Sequence, residues 1–281
     1  MSGVLENKEA TFEEFAFELV DAYVPDTLAA ETLLKTATFT VSSMVAGGKG
    51  TICDILKAED FCAVALSHTT RDPEPRDGME PGTPDSYPVA YSFVDVPHMA
   101  GKLLAREMLE VAVVHGNVYG TSLEALESVA KSGRCPLLEI DLQGVENLKA
   151  VAPTMPSFFI VPPGVDVWLS RWSSRDPEIT KAQFTKRVQT AQQECRKAIA
   201  MVYDESLTLI SNGNAQFAAD SIRAAVSDGI VANQATRLLD LSDFADNLDE
   251  LSESGELWQK FKAIVNQKIG TLDSRVLIDT I

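Results

Sequence analysis

Short apolar runs alternate with helical patterns through the central part of this chain. Continuous or alternating apolar residues, as found in strands, occur at 38–41, 61–66, 91–94, 111–114, 135–142, 158–161 and 207–212. Apolar residues at helical spacing lie between or after these runs, at 52–56, 99–108, 123–131, 165–174, 180–202 and 215–226. Strands that alternate with helices predict a mainly parallel sheet with helices on both faces. We therefore expect an α/β domain over residues 37–228.

Both ends of the chain show helical patterns only. Thr11 to Glu14 form a capping-box pattern before a run of apolar residues at helical spacing. Asp26 is placed to cap a second helix. After Gly229 the pattern is again helical. The predicted organisation is a helical N-terminal extension, a central α/β domain and a helical C-terminal extension, at 1–36, 37–228 and 229–281.

The amino-acid composition limits the classes of molecule that we expect this protein to bind. The 281 residues include 41 acidic and 24 basic side chains, which gives a net charge of −17. This charge argues against nucleic acid or an anionic membrane as a main partner, although a local group of cations can still bind a small anion. We find no secretion signal and no apolar run of about 18 residues. With four widely spaced cysteines, the sequence predicts a cytoplasmic protein with reduced thiols and no structural zinc.

The stretch 41–51 has the layout of a phosphate-binding loop. It follows an apolar run, contains a Gly-Gly-Lys-Gly turn and leads into a helical pattern. Backbone N–H groups at such a turn face an anion, and Lys49 adds a full positive charge. The usual pattern is G-x-x-x-x-G-K-[ST]. Here Ser43 stands at the first glycine, and Thr51 comes one residue late.

The loop is the first of several motifs in the central domain. In order, they are Gly48-Lys-Gly-Thr51, Ser67-His-Thr-Thr-Arg71-x-Pro73, Tyr91-x-Phe93, Glu110-x-Ala112-x-x-His-Gly116-Asn-x-Tyr119-Gly-Thr121, Glu139-Ile-Asp141-x-Gln143-Gly144, Pro162-Pro163, Arg171, Arg175, Lys186-Arg187 and Asn212. In type and order these motifs resemble those of the guanylate kinase family. The resemblance implies a P-loop NTPase-type sheet, a small GMP-binding subdomain and a helical lid.

The resemblance also implies which residues bind the phosphoryl donor. The implied catalytic residues are Lys49, Arg171, Arg175 and Arg187. Arginine suits this work because its planar fork binds phosphate oxygens in pairs. The implied ATP-binding residues are Ala46, Gly47, Gly48, Lys49, Gly50, Thr51, Arg171 and Asn212. Mg²⁺ is implied as the cofactor, held mainly by phosphates and water and not by direct protein ligands.

A second set of residues is implied for the phosphoryl acceptor. The implied GMP-binding residues are Ser67, Arg71, Arg76, Tyr91, Glu110, Tyr119, Thr121, Glu139 and Asp141. Arg71 and the two tyrosines match ligands of the GMP phosphate, and Glu110 matches a ligand of the base. A carboxylate can accept hydrogen bonds from guanine N1–H and the exocyclic amine, a donor pair that adenine lacks.

Some positions depart from the family pattern. A side chain at Ser43 would clash if the backbone there needs φ > 0. Glu74 stands where the family has a second phosphate-binding arginine, and its charge would repel the acceptor phosphate. We expect Arg76 to take that place. Glu139 replaces an aspartate.

The sequence therefore predicts a nucleoside monophosphate kinase. It would transfer the γ-phosphoryl group of ATP to GMP or dGMP, which gives ADP and GDP or dGDP. The alternative is a weak or inactive guanylate kinase-like module that binds a protein partner. The helical extensions fit either reading, and they are compatible with a homodimer or a protein partner.

Overall fold

The computed structural model of the chain describes residues 12–73, 91–114 and 116–278. These residues fall into two compact units. The first lies within Met1–Thr38, Ala63–Leu138 and Gln143–Met155, and the second lies within Phe39–Cys62, Glu139–Leu142 and Pro156–Ile281. Among the described helices, none combines the length and the apolar character that crossing a membrane requires.

The elements follow one another in an order close to the predicted one. In chain order they are α1 (Phe12–Asp21), α2 (Thr27–Lys35), β1 (Phe39–Ser43), α3 (Lys49–Ala58), β2 (Cys62–Val64), β3 (Ser67–Thr69), β4 (Ser92–Phe93), α4 (Val96–Leu104), β5 (Met108–Val114), β6 (Asn117–Ser122), α5 (Leu123–Lys131), β7 (Cys135–Leu138), α6 (Leu142–Val151), β8 (Ser157–Val161), α7 (Val165–Arg175), α8 (Lys181–Tyr203), β9 (Thr208–Ser211), α9 (Ala215–Asp228), α10 (Gln234–Glu253) and α11 (Glu256–Ile278).

The second unit contains a parallel sheet. β8 pairs in parallel with β1 on one side and with β9 on the other, so that Val41 lies opposite Phe158 and Phe159 lies opposite Leu209. All five residues of β8 are buried. A parallel strand covered on both faces requires a continuous apolar sequence, which is the pattern that predicts β8. The parallel pairing confirms the predicted sheet type.

The first unit contains a four-stranded sheet of order β4-β3-β6-β5. β6 pairs antiparallel with both β3 and β5, whereas β3 and β4 are parallel. The sequence pattern does not predict β6, because Asn117–Ser122 contains no apolar run. Its backbone lies very close to β5, since a Cβ at Gly120 would be only 2.6 Å from the Glu110 carbonyl oxygen.

The predicted strand over 135–142 is shorter in the structure. β7 covers its first half, and α6 begins at its last residue. Leu142, the last apolar residue of the predicted strand, belongs to the buried face of α6, together with Val145 and Leu148 at a helical spacing of three. Glu139 and Asp141 therefore lie in the turn between β7 and α6, and not on one face of a strand.

Two other predicted elements have different bounds. The predicted strand at 61–66 is reduced to the three residues of β2. The predicted helix at 99–108 is α4, which ends at Leu104, and Met108 already belongs to β5.

The N-terminal helices pack within the first unit. Asp26 caps α2 as predicted, and accepts a hydrogen bond from Leu28 N–H. Phe17, Val20 and other side chains at the N-terminal end pack against a cluster that includes Met99 and Met108. The Tyr23 hydroxyl donates to the Met108 carbonyl at 2.6 Å and accepts from the Met108 N–H at 2.9 Å. One tyrosine thus anchors the first residue of β5, the strand that carries Glu110.

The C-terminal helices pack within the second unit, and the helical prediction for this end is confirmed. α10 and α11 contribute buried side chains on one face each: Leu241, Phe244 and Leu248, and Leu257, Phe261 and Val265. The domain boundaries at 36/37 and 228/229 remain predictions.

We expect Tyr23→Phe to destabilise the protein by about 1–3 kcal/mol, because it leaves the Met108 N–H without its partner. Met108 is fully buried, so water does not replace the hydroxyl. The free energy of unfolding in urea measures this loss. Tyr203→Phe is the matched control, because Tyr203 is 73% exposed. Equal stability of the two variants would show that Tyr23 does not anchor β5.

Candidate functional site

The turn between β1 and α3 presents an uncapped helix N-terminus. Gly48 is the N-cap of α3 with φ = 102°, and as a glycine it provides no side-chain cap for this helix. Lys49 is the first helical residue. The first N–H groups of a helix and its dipole attract an anion. The turn therefore has the local structure of the phosphate-binding loop predicted from its sequence.

The expected clash at Ser43 is wrong. Ser43 is the last residue of β1, and the residues of this turn with left-handed backbone are Ala46 (φ = 56°) and Gly48 (φ = 102°). The Ser43 hydroxyl donates to the Met44 carbonyl at 3.0 Å. A serine is tolerated at this position because the left-handed backbone falls on later residues.

Two hydrogen bonds link the turn to α7 and to Asn212, the residue after β9, and a third links α7 to Asn212. Trp168 Nε1 donates to the Val45 carbonyl at 2.6 Å, and Asn212 Nδ2 donates to the Gly47 carbonyl at 2.8 Å. Arg171 Nη2 donates to the Asn212 carbonyl at 2.9 Å. These bonds connect the loop to the helix that carries the first of the predicted arginines.

The turn and α7 form a pocket of about 740 Å³, a volume typical of small-molecule sites. Its lining consists of Ser43, Met44, Val45, Ala46, Gly47, Gly48, Lys49, Gly50, Thr51, Glu139, Arg171, Arg175, Asn212 and Ala215. The structure thus brings together every residue predicted to bind ATP. Arg171 Nη1 is buried without a hydrogen-bond partner among the described residues, and a phosphate oxygen would supply the missing acceptor.

Two of the predicted residues make contacts that the sequence alone does not indicate. Arg187 does not line this pocket; it forms an ion pair with Asp176, at 2.9 Å between Nη1 and Oδ2. Glu139, predicted for GMP, lines the pocket of the phosphate loop, and its Oε1 lies 3.9 Å from Lys57 Nζ. The Glu139 carboxylate is therefore placed beside the residues predicted to hold the donor.

Sequence reasoning missed Glu194, a carboxyl group on α8. The pKa of Glu194 is raised to about 7, mainly by burial and also by the negative charge of Asp141, while Lys49 opposes both effects. The available signal is its helical position, since Ala191, Cys195 and Ala198 are buried neighbours on the same helix. An acidic residue among inward-facing positions of a helix indicates either a partner or a shifted pKa.

Three predicted acceptor residues form a hydrogen-bonded chain in the first unit. The Thr121 hydroxyl donates to Glu110 Oε1 at 2.8 Å, and the Ser67 and Thr121 hydroxyl oxygens lie 2.9 Å apart. A hydroxyl has one proton to donate, so Ser67 donates to Thr121. Glu110 is only 4% exposed. These two hydrogen bonds hold the buried carboxyl group of Glu110 in a defined orientation.

The predicted phosphate ligands of the acceptor form an aromatic group around an arginine. The Arg71 guanidinium lies 5.6 Å from the ring centroids of both Tyr91 and Phe93. The rings of Tyr91 and Tyr119 meet edge to face, with centroids 5.6 Å apart. Glu74 and Arg76 lie outside the described residues, so the expected substitution of Arg76 stays a prediction.

We predict that the raised pKa of Glu194 lowers the free energy of unfolding of the protein as pH rises. Its pKa of about 7 in the folded protein exceeds the usual value of 4.5, so the folded state binds more protons between these values. The stability that the protonated group contributes is fully present below about pH 4.5 and is lost as pH rises through about 7.

Glu194→Gln isolates this effect, because glutamine keeps the shape and does not ionise. The stability of the variant relative to wild type should increase from pH 5 to pH 8, measured by urea unfolding at several pH values. Glu178→Gln is the control, since Glu178 is exposed. A difference between Glu194→Gln and wild type that does not vary with pH would contradict the shift.

Comparison with known proteins identifies the fold that holds this site. Residues 38–214 match the family model of guanylate kinase. The chain is 35% identical over 155 residues to guanylate kinase 1 of Arabidopsis thaliana, a match that covers 54% of this chain and 38% of that protein. It is 32% identical over 191 residues to the guanylate kinase of Dechloromonas aromatica (strain RCB), which covers 67% of this chain and 87% of the relative. A crystal structure of guanylate kinase from Anaplasma phagocytophilum aligns with a TM-score of 0.47 and 25% identity over 67% of this chain and 83% of that one. By the family match and the second of these relatives, this chain belongs to the guanylate kinase family.

Proposed function

We propose that this protein transfers the γ-phosphoryl group of ATP to GMP or dGMP. The observation that carries the proposal is the pocket of the phosphate loop, in which Lys49, Arg171 and Arg175 surround an uncapped helix N-terminus. Phosphoryl transfer needs positioning and positive charge more than covalent chemistry. A set of cations around free N–H groups supplies both to a triphosphate.

The donor residues have separable tasks. The N–H groups at Gly48 and the start of α3 bind phosphate oxygens, and Lys49 neutralises their charge. Arg171 is oriented by its bond to the Asn212 carbonyl, which leaves Nη1 to donate to a phosphate oxygen. Arg175, at the exposed end of α7, binds the charge that develops on the transferred group. Arg187 joins them only after it leaves Asp176.

The acceptor residues provide selection for guanine. Thr121 holds one oxygen of Glu110, and the carboxyl group accepts hydrogen bonds from N1–H and the exocyclic amine of the base. Adenine offers no such pair of donors, so its binding would leave the buried Glu110 carboxylate without hydrogen bonds from the base. Arg71 with Tyr91 and Tyr119 binds the phosphate of the nucleotide.

Mg²⁺ fits the oxygen groups of the donor pocket. Thr51 and Glu139 both line it, and hydroxyl and carboxylate oxygens are the ligand types that Mg²⁺ accepts. We infer that the ion would be held mainly by the phosphates and water, and that Glu139 and Asp141 would add carboxylate charge that favours a cation. When bound, it neutralises charge on the β- and γ-phosphates.

We also infer a cytoplasmic location, which the state of the cysteines supports. Cys53, Cys62, Cys135 and Cys195 are free, and three of them are buried. Burial raises the pKa of Cys195 to about 12, so this thiol stays protonated and unreactive. A homodimer or a protein partner at the helical ends remains a prediction.

Release of ADP in a coupled assay tests the proposed activity. ATP and Mg²⁺ are supplied with GMP, dGMP, AMP or UMP in parallel reactions. We expect turnover with GMP and dGMP and little with the other two. Turnover with none of the four, or equal turnover with AMP, would overturn the proposal.

We expect Gly48→Ala to lower kcat/KM for ATP on the order of 100-fold, the loss that a misplacement of about 1 Å causes. A Cβ at this position would lie 2.0 Å from Asn212 Nδ2, and φ of 102° strains any side chain. The control is Gly213→Ala, where a Cβ would meet nothing within 4 Å. Similar kinetics of the two variants at saturating GMP would show that the shape of the loop is not required.

We expect Glu110→Gln to cost about 1.5–3 kcal/mol in kcat/KM for GMP, the range for a hydrogen bond to a charged group. Glutamine can still accept from Thr121, so the fold is kept. The assay compares GMP with AMP for this variant and for Glu124→Gln, whose side chain is exposed at the start of α5. An unchanged ratio of GMP to AMP in Glu110→Gln would exclude a role in base selection.

A further inference from the structure

The two last helices lie beyond the part of the chain that matches the family. The match ends at residue 214, whereas α10 and α11 run from Gln234 to Ile278. Both helices nevertheless pack within the second unit. Their contacts include α7 and α8, the helices that carry the arginines predicted for the donor.

An aromatic cluster joins α11 to α7 and α8. The rings of Trp172 on α7 and Phe184 on α8 are stacked, with centroids 4.7 Å apart. Trp258 and Phe261 of α11 lie 5.1 Å and 4.9 Å from Phe184, and Phe261 lies 5.9 Å from Trp172. Aromatic pairs at these distances stabilise beyond the area they bury. The cluster therefore fixes α11 against the start of α8 and the inner face of α7.

Lys268 makes the polar part of this contact. Its Nζ donates to the Ser170 carbonyl at 2.6 Å, to Ser173 Oγ at 2.9 Å and to Ser174 Oγ at 2.6 Å. An ammonium group has three protons, so all three bonds can form together. A positive charge at the last turn of a helix also interacts favourably with the helix dipole. Lys268 thus holds the C-terminal turn of α7 by a set of charged hydrogen bonds.

The residues that Lys268 holds are next to the arginines of the pocket. Ser170 precedes Arg171, and Ser174 precedes Arg175. At the other side of α7, Trp168 bonds to the Val45 carbonyl of the phosphate loop. A shift of α7 would therefore move both arginines relative to the loop.

We propose that α11 is a brace for the donor site, in which Lys268 is a positioning residue that sets Arg171 and Arg175 toward the triphosphate of ATP. This inference rests on the proposed function for the identity of the nucleotide. Lys268 touches no substrate; it acts through α7. The brace is specific to a chain with this C-terminal extension, since the residues that form it follow the matched family region.

The test uses the full chain with Lys268→Ala, because removal of α11 would expose the aromatic cluster and disturb folding. We expect KM for ATP, and the dissociation constant for ATP measured by calorimetry without GMP, to rise about tenfold from misplacement of the arginines. KM for GMP should stay at the wild-type value. Lys268→Arg should restore most of the affinity for ATP, since arginine keeps the charge and several donors.

Asn266→Ala is the matched control, because Asn266 is an exposed residue on the same helix, and it should behave as wild type. A lower kcat with both KM values unchanged, or an equal loss in Lys268→Arg, would overturn the brace and leave Lys268 a purely structural residue. Wild-type protein that binds ATP without phosphorylating GMP would overturn the proposed function but not the brace. Unchanged ATP affinity in Lys268→Ala would overturn the brace alone.

Discussion

The donor site depends on one asparagine buried beneath the phosphate loop. Asn212 is 2% exposed; its side-chain Nδ2 donates to the Gly47 carbonyl, and its backbone carbonyl accepts from Arg171 Nη2. The amide fits because Gly48 has no Cβ, which would lie 2.0 Å from Nδ2. A single residue thus sets the shape of the anion-binding turn through its side chain and the place of a cation beside it through its backbone. A residue without the amide donor would leave a carbonyl unsatisfied at the point where the loop bends.

The carboxyl groups of Glu110 and Glu194 have different surroundings, which favour different chemistry for the same functional group. Glu110 is held by the Thr121 hydroxyl, with Ser67 behind it, and this arrangement favours a group that accepts hydrogen bonds from a base. Glu194 is partly buried near Asp141, which repels its charge, and its pKa is raised to about 7. It therefore exchanges a proton near neutral pH, close enough to Lys49 for their charges to interact. The first carboxyl group suits recognition, whereas the raised pKa of the second makes its own charge depend on pH.

The parts of the site that sequence predicted are those with local signals. Gly48 and Lys49 lie in one short turn between a strand and a helix, and Asn212 follows a buried strand whose end can be read from its apolar run. Glu194 could not be assigned in this way, because its environment is created by residues far along the chain. β6 was missed for a related reason: half of its residues are polar, and its place is set by the close approach of Gly120 to β5. The role of Tyr23 has no local signal either, because its hydroxyl anchors Met108, a residue 85 positions along the chain.

The aromatic cluster around α7 also gives the protein a particular optical property. The chain has three tryptophans, and all three belong to this cluster: Trp168 and Trp172 lie 5.1 Å apart, and Trp258 reaches them through Phe184 and Phe261. Trp168 is also bonded to the phosphate loop. The intrinsic fluorescence of the protein therefore originates from the surroundings of a single helix, the one that carries two arginines of the donor pocket. Changes in tryptophan fluorescence therefore report on the surroundings of that helix without an added label.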